Sequence, residues 1–211
     1  MRELLRKHGQ TIINVVLVVC LGHYALERGA TALRQAQLEH TVDLVETAFF
    51  VHNVVMLTLI LVRRPHQAID KSVLHQAVAL VAFFSGITFV RASEPGPVMV
   101  ALSQVVTAAA IILGTAALVN LGRSFGILVS VRKVRINGLY AVIRHPMYFT
   151  DILWRVGIIL KNPCPLNFTI FVVSSACYVY RALLEEKFLS RWPEYRDYMQ
   201  KVSYRFLPGI F

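Results

Sequence analysis

YFTDILWRVGIILKNPCPLNFTIFVVSSACYVYRALLEE, residues 148–186, reads as two apolar arms joined by a breaker. Asn162-Pro163-Cys164-Pro165 ends one helical run and opens another, because a proline lacks an amide hydrogen and constrains the residue before it. The arms, Tyr148 to Leu160 and Leu166 to Leu184, therefore predict a helical hairpin. Its charges are sparse and sit at helical spacing: Asp151 with Arg155, and Arg181 with Glu185. Residues four apart share a helix face and can pair.

Upstream, the chain holds four more apolar stretches: Thr11 to Leu26, Leu44 to Val62, Val73 to Val90 and Val98 to Leu121. A spanning helix needs about 20 mostly apolar residues, since lipid offers no partner to a backbone amide or carbonyl. With 56% hydrophobic residues and a mean hydropathy of +0.56, the 211-residue chain demands lipid around it. The fold class expected is all-α: a polytopic membrane protein of about six transmembrane helices, or five if the short first arm of the hairpin does not cross. Arg2, Arg6 and Lys7 before the first stretch resemble a signal peptide, but no clean cleavage site follows, so a retained helix is expected.

Basic residues set the expected orientation. With the N-terminus inside, inner segments hold Arg2, Arg6, Lys7, Arg63, Arg64, Lys71, Arg123, Arg132, Lys133, Arg135 and Arg144, against Arg28, Arg34, Arg91 and Lys161 outside. Both termini are expected in the cytoplasm. The formal net charge of +10 then belongs to a face meeting anionic membrane lipids, not to nucleic acid. Cys20, Cys164 and Cys177 show no metal-ligand spacing and are expected to be core residues.

Two regions follow from the change of texture near Gly122: residues 1–121 as transmembrane scaffold, and 122–211 as a catalytic region at the cytoplasmic face. In the second, Asn137-Gly138 marks a tight turn. Arg144, His145, Pro146 and Tyr148 open the hairpin, with Pro146 suited to a first helical position. Free amides there favour an anionic group. The tail from Trp192 to Tyr204 alternates aromatic and basic residues, as an amphipathic segment at the headgroup level would.

The order LGRSF (121–125), NGLYAVIRHPMY (137–148), hairpin, RALLEEKFLSRWPEYRDYMQKVSYRFLP (181–208) closely resembles the isoprenylcysteine carboxyl methyltransferase family, with its related phospholipid and small-thiol methyltransferases. It covers about the last 90 residues. The resemblance implies a transferase using S-adenosylmethionine without a Rossmann fold, and the chain has no GxGxxG turn. It implies that Arg132, Lys133, Val134 and Arg135, then Tyr140, then His145, Pro146, Met147 and Tyr148, then Glu185, enclose the cofactor. Arg181 takes the substrate-associated position, and Arg181 and Glu185 are the catalytic candidates.

These residue types suit that cofactor. His145 or the helix start can meet its carboxylate and Glu185 its ammonium, while Tyr140 or Tyr148 can face the sulfonium. An in-line displacement needs positioning, neither a covalent intermediate nor a metal. The expected acceptor is lipophilic or lipidated, foremost an isoprenylcysteine-like carboxylate oriented by Arg181. A phospholipid amine or small thiol would need Glu185 or Glu186 as base. Phe149-Thr150-Asp151 replaces the small residue many members carry after the tyrosine, and LGRSFGI lacks their serine after the phenylalanine. Other classes consistent with the text are a sterol-type reductase using NADPH and a non-catalytic scaffold.

Overall fold

Helix α6 (Pro165–Leu189) starts where the breaker predicts, with Pro165 in its first turn and the Cys164 sulfur accepting from the Asn167 amide at 3.4 Å. Its partner arm, α5 (Pro146–Lys161), opens on Pro146 and stops at Asn162. In the computed structural model, residues 2–39, 43–91 and 94–210 are described. They divide into two units, 1–63 and 64–211.

The first unit pairs α1 (Arg2–Glu39) with α2 (Leu44–Val62). Asp43 caps α2 by accepting from the Val45 and Glu46 amides at 2.8 and 3.1 Å, the standard remedy for unpaired helix-start donors. Tyr24 meets Phe49 edge-on at 6.1 Å, and Gly29 lets the Phe50 ring approach α1. Helix α1 runs well beyond the apolar stretch Thr11 to Leu26, because its flanks are rich in Ala, Arg, Gln and Glu, which favour helix without needing lipid.

The second unit holds α3 (Val73–Phe84), α4 (Pro97–Leu121), α5, α6 and a short α7 (Pro193–Lys201). Helix α4 runs antiparallel to α5 on a face of small residues. Ser103 donates to the Gly157 carbonyl at 2.7 Å, and Gly157 has no side chain because Thr107 occupies that space. At the end of α5 away from the hairpin's start, Asn167 is fully buried. It donates to the carbonyls of Val90 and Asn162 at 2.9 and 2.8 Å and accepts from the Val90 amide at 3.0 Å.

At the other end, β1 (Ala68–Ile69) pairs antiparallel with β2 (Ser130–Val131). Gln76 extends this ribbon by both donating to and accepting from the Val129 backbone. Gly138, at φ +61°, gives the Asn137-Gly138 turn its left-handed residue, and the Asn120 side chain packs directly on it while accepting from the Leu139 amide.

Among the described residues, three helices are long and apolar enough to cross a membrane: α2, α4 with its following turn to Ser124, and α6. The third expected span is shorter than its apolar run. Helix α3 tightens into a 3-10 turn at Ser85–Thr88, where Gly86 lies against the Trp154 ring. Helix α5 has 16 residues. The cysteines are not core residues as expected: Cys20 is exposed, and Cys164 and Cys177 are half-buried.

Candidate active site

Helix α6 presents Tyr178, Ala182 and Glu186 at four-residue steps on its buried side, and Arg181 beside them. Opposite stands the start of α5, so the Arg-His-Pro block and the acidic end of α6 meet. His145 Nε2 lies 3.1 Å from Glu186 Oε1, with both side chains 5% exposed. An ionised carboxylate only accepts, so Nε2 is the protonated nitrogen and Nδ1 is the one left over.

Glu186 gathers three basic groups. Arg144 Nε sits 3.1 Å from Oε1 as an ionic contact without hydrogen-bond alignment, and Arg205 Nε donates to Oε2 at 2.9 Å. A carboxylate so deep is sustained only because its charge is matched on several sides.

Tyr148 stacks on the His145 ring at 5.3 Å and 11°. Its ring also receives the Arg181 guanidinium at 4.8 Å. Arg181, 2% exposed, donates through Nε to Glu185 Oε1 at 3.2 Å. Its Nη atoms make long contacts with the carbonyls of Ala79 and Gly126, at 3.5 and 3.4 Å. The expected pairing of Arg181 with Glu185 is thus present, and Glu185 keeps 17% of its side chain exposed.

The pairing expected between Asp151 and Arg155 is not made by the two side chains. Arg155 Nη1 donates to the backbone carbonyl of Asp151 at 2.9 Å, while Nη2 reaches the Ala82 carbonyl and the Ser85 hydroxyl, both at 3.0 Å. The tightening of α3 at Ser85 sets that carbonyl beside the Ser85 hydroxyl, which itself donates to it at 2.9 Å, so one guanidinium nitrogen of Arg155 reaches both acceptors across the helix interface. Arg155 also lies over Tyr178 at 4.9 Å, and Tyr178 is within electrostatic reach of the Asp151 carboxylate.

The remaining residues divide by role. Arg132 serves the ribbon, donating to the Arg64 carbonyl at 3.0 Å and to Ser130 Oγ at 2.6 Å. Lys133 is exposed, and Val134 packs on the buried face of α7 formed by Tyr195 and Tyr198. Arg135 is half-buried with its Nε lacking a hydrogen-bond partner. Its Nη2 lies 3.9 Å from where a side chain on Gly122 would begin, two residues before Ser124, whose buried hydroxyl also lacks a partner.

Tyr140 is buried, and its carbonyl accepts the Tyr198 hydroxyl at 2.8 Å. Burial holds the Tyr140 phenol well above its ordinary value, with Tyr198, Glu185 and Asp151 adding to the effect. Tyr140 therefore stays neutral and offers an aromatic wall, not a base. Pro146 is buried and Met147 packs on the cluster of Tyr148, Tyr178, Ala182 and Phe206.

Glu186, Arg205 and Phe206 are central to this geometry although the sequence singles out their neighbours. The signal was the helical phase: Glu186 falls on the stripe of Tyr178 and Ala182, whereas Glu185 falls at its edge with Arg181.

Comparison with known proteins adds the following. Residues 92–194 match the phospholipid methyltransferase family model. The chain is similar in fold to a solved eukaryotic intramembrane Ras methyltransferase, isoprenylcysteine carboxyl methyltransferase, with a TM-score of 0.52 and 20% sequence identity, over 98% of this chain and 86% of that one. No curated protein matches the chain.

Proposed function

We propose that this chain, whose residues 92–194 match the phospholipid methyltransferase family model, is a membrane methyltransferase that draws its methyl group from S-adenosylmethionine and passes it to a lipophilic acceptor. The observation that carries this reading is the joining of the two motif blocks: His145 on Glu186 at 3.1 Å, and Tyr148 between His145 and Arg181.

The residues present fit the cofactor. Two buried donors without partners, Arg135 Nε and Ser124 Oγ, suit its anionic and hydrogen-bonding parts. Glu185 suits its ammonium, and the buried Tyr140 and Tyr148 rings suit a cation without a lone-pair requirement. When bound, the cofactor supplies a methyl group on a positively charged sulfur. Lys133, Val134, Met147 and Pro146 complete the proposed enclosure from the two flanking segments.

The chain's own contribution is to bind, orient and exclude water. Burial of His145, Tyr148 and Arg181 removes competing solvent, which strengthens each charge interaction in the site. Arg181 orients and balances an acceptor carboxylate such as that of an isoprenylcysteine-like substrate. A phospholipid amine or thiol would instead call on Glu185 to take a proton. The end of the unit carrying the site holds Lys71, Arg123, Lys187, Arg191, Arg196 and Lys201, while the opposite end holds Arg91 and Lys161. That asymmetry supports a cytoplasmic site.

The test is transfer from methyl-labelled S-adenosylmethionine by the purified chain in lipid nanodiscs, offered an isoprenylcysteine carboxylate, a phosphatidylethanolamine and a small lipophilic thiol in separate arms. Base-labile label on the carboxylate supports the reading; label on the amine or thiol replaces the acceptor; no transfer to any acceptor overturns it.

A further inference from the structure

The family match ends at residue 194, yet the chain after α7 returns to the site. The carbonyls of Tyr204 and Arg205 accept from the amides of Arg144 and His145, each at 2.9 Å. Those amides precede Pro146 and have no helical acceptor, so the returning strap supplies what the helix cannot. Arg144 Nη2 also reaches the Ser203 carbonyl at 3.3 Å. Phe206 is buried with its ring 5.8 Å from that of His145, on the cluster that holds Tyr148 and Tyr178.

The strap acts on His145 through one further group. Glu186 Oε1 serves Arg144 and His145, while Oε2 is fixed by the Arg205 guanidinium at 2.9 Å. A carboxylate held at one oxygen can rotate about its last side-chain bond; held at both, it cannot. The geometry points to Arg205 as a positioning residue for the methyl-donor site. It locks the Glu186 carboxylate, which keeps His145 in its Nε2-protonated form and stacked on Tyr148, so that Nδ1 would be the acceptor nitrogen offered to a bound donor. This inference rests on the reading that His145 and Tyr148 border S-adenosylmethionine.

Arg205 keeps 28% of its side chain exposed, so its ion pair is partly screened.

The experiment compares wild type with Arg205→Ala, Arg205→Gln and Arg205→Lys, all full length in nanodiscs. Losing one charge-assisted bond that holds an intermediary predicts a rise of about tenfold in KM for S-adenosylmethionine, with kcat within about threefold. Arg205→Lys, which restores the cation, should return KM to within about threefold of wild type. The ring nitrogens of His145, labelled with nitrogen-15, should show a protonated Nε2 in wild type and in Arg205→Lys, and a tautomer mixture in Arg205→Gln. A purely structural role would lower the unfolding temperature of every variant and leave the tautomer of the folded fraction unchanged.

An unchanged donor KM together with an unchanged His145 tautomer in folded Arg205→Gln overturns the inference. Failure of the wild-type chain to bind S-adenosylmethionine overturns the proposed function instead, and the tautomer comparison still decides the clasp by itself.

Discussion

Arg181→Lys keeps the positive charge of the site and removes its shape. The guanidinium uses three edges and one face: Nε on Glu185 at 3.2 Å, Nη1 on the Ala79 carbonyl at 3.5 Å, Nη2 on the Gly126 carbonyl at 3.4 Å, and the plane over Tyr148 at 4.8 Å. A lysine ammonium is a point charge on a flexible stem and reaches one of these directions. The two carbonyl contacts are long, worth about 0.5–1 kcal/mol each, and the ring contact about 1–2 kcal/mol in a dry setting. Their sum, about 2–4 kcal/mol, corresponds to a loss of about 30- to 700-fold in kcat/KM at 1.4 kcal/mol per decade. The assay is steady-state methyl transfer with saturating acceptor, alongside a thermal melt showing that the variant is folded. Folded Arg181→Lys with kcat/KM within fivefold of wild type would refute the claim that the planar group organises the site.

Three further outcomes are expected. Asn167→Ala, which strips three bonds at the end of the bundle remote from the site, should cost about 2–4 kcal/mol in stability by denaturant or thermal unfolding, with kcat/KM of the folded protein unchanged. Gly138→Ala meets both the positive φ and the Asn120 side chain, so it should lower stability by at least about 1–2 kcal/mol, read as a drop in melting temperature that Asn120→Ala partly relieves. Burial alone would push the Asp70 carboxyl up, but the His75 hydrogen bond at 2.6 Å, the Ser72 amide and the charges of His75 and Arg191 hold it below its ordinary value. Its contribution is therefore complete above the ordinary carboxylate value of about 3.9 and fades as pH falls through the lower folded value; melting temperature should decline over that window in wild type and stay flatter in Asp70→Asn.

The hairpin is legible in sequence because its punctuation is local: Pro146 and Pro165 fall at helix starts, and the Asn162-Pro163 breaker falls between them. The Arg181 and Glu185 pair is legible for the same reason, since a four-residue step fixes their mutual position whatever surrounds them. Asp151 and Arg155 have the same spacing, yet Arg155 turns to Ala82 and Ser85, because a carbonyl and a hydroxyl set side by side on another element offer one guanidinium nitrogen two acceptors at once. That competition depends on α3 stopping at Phe84, which hydropathy does not register: Ser85, Gly86 and Thr88 sit inside an apolar run and change the helix type without changing its polarity. In sequence Glu186 reads only as an alternative base, because the hub it forms draws on residues 41 and 19 positions away, His145 and Arg205. The lesson for the cysteines is similar, since in a membrane chain an apolar side chain can face lipid, so exposure and hydrophobicity part company.

Photo-crosslinking with labelled S-adenosylmethionine, followed by mapping of the labelled peptides, goes straight to where the methyl donor sits. The account predicts saturable label, displaced by S-adenosylhomocysteine, on peptides containing Tyr140 to Tyr148 and Arg181 to Glu186 together. Label confined to other helices, or label that does not saturate, contradicts it.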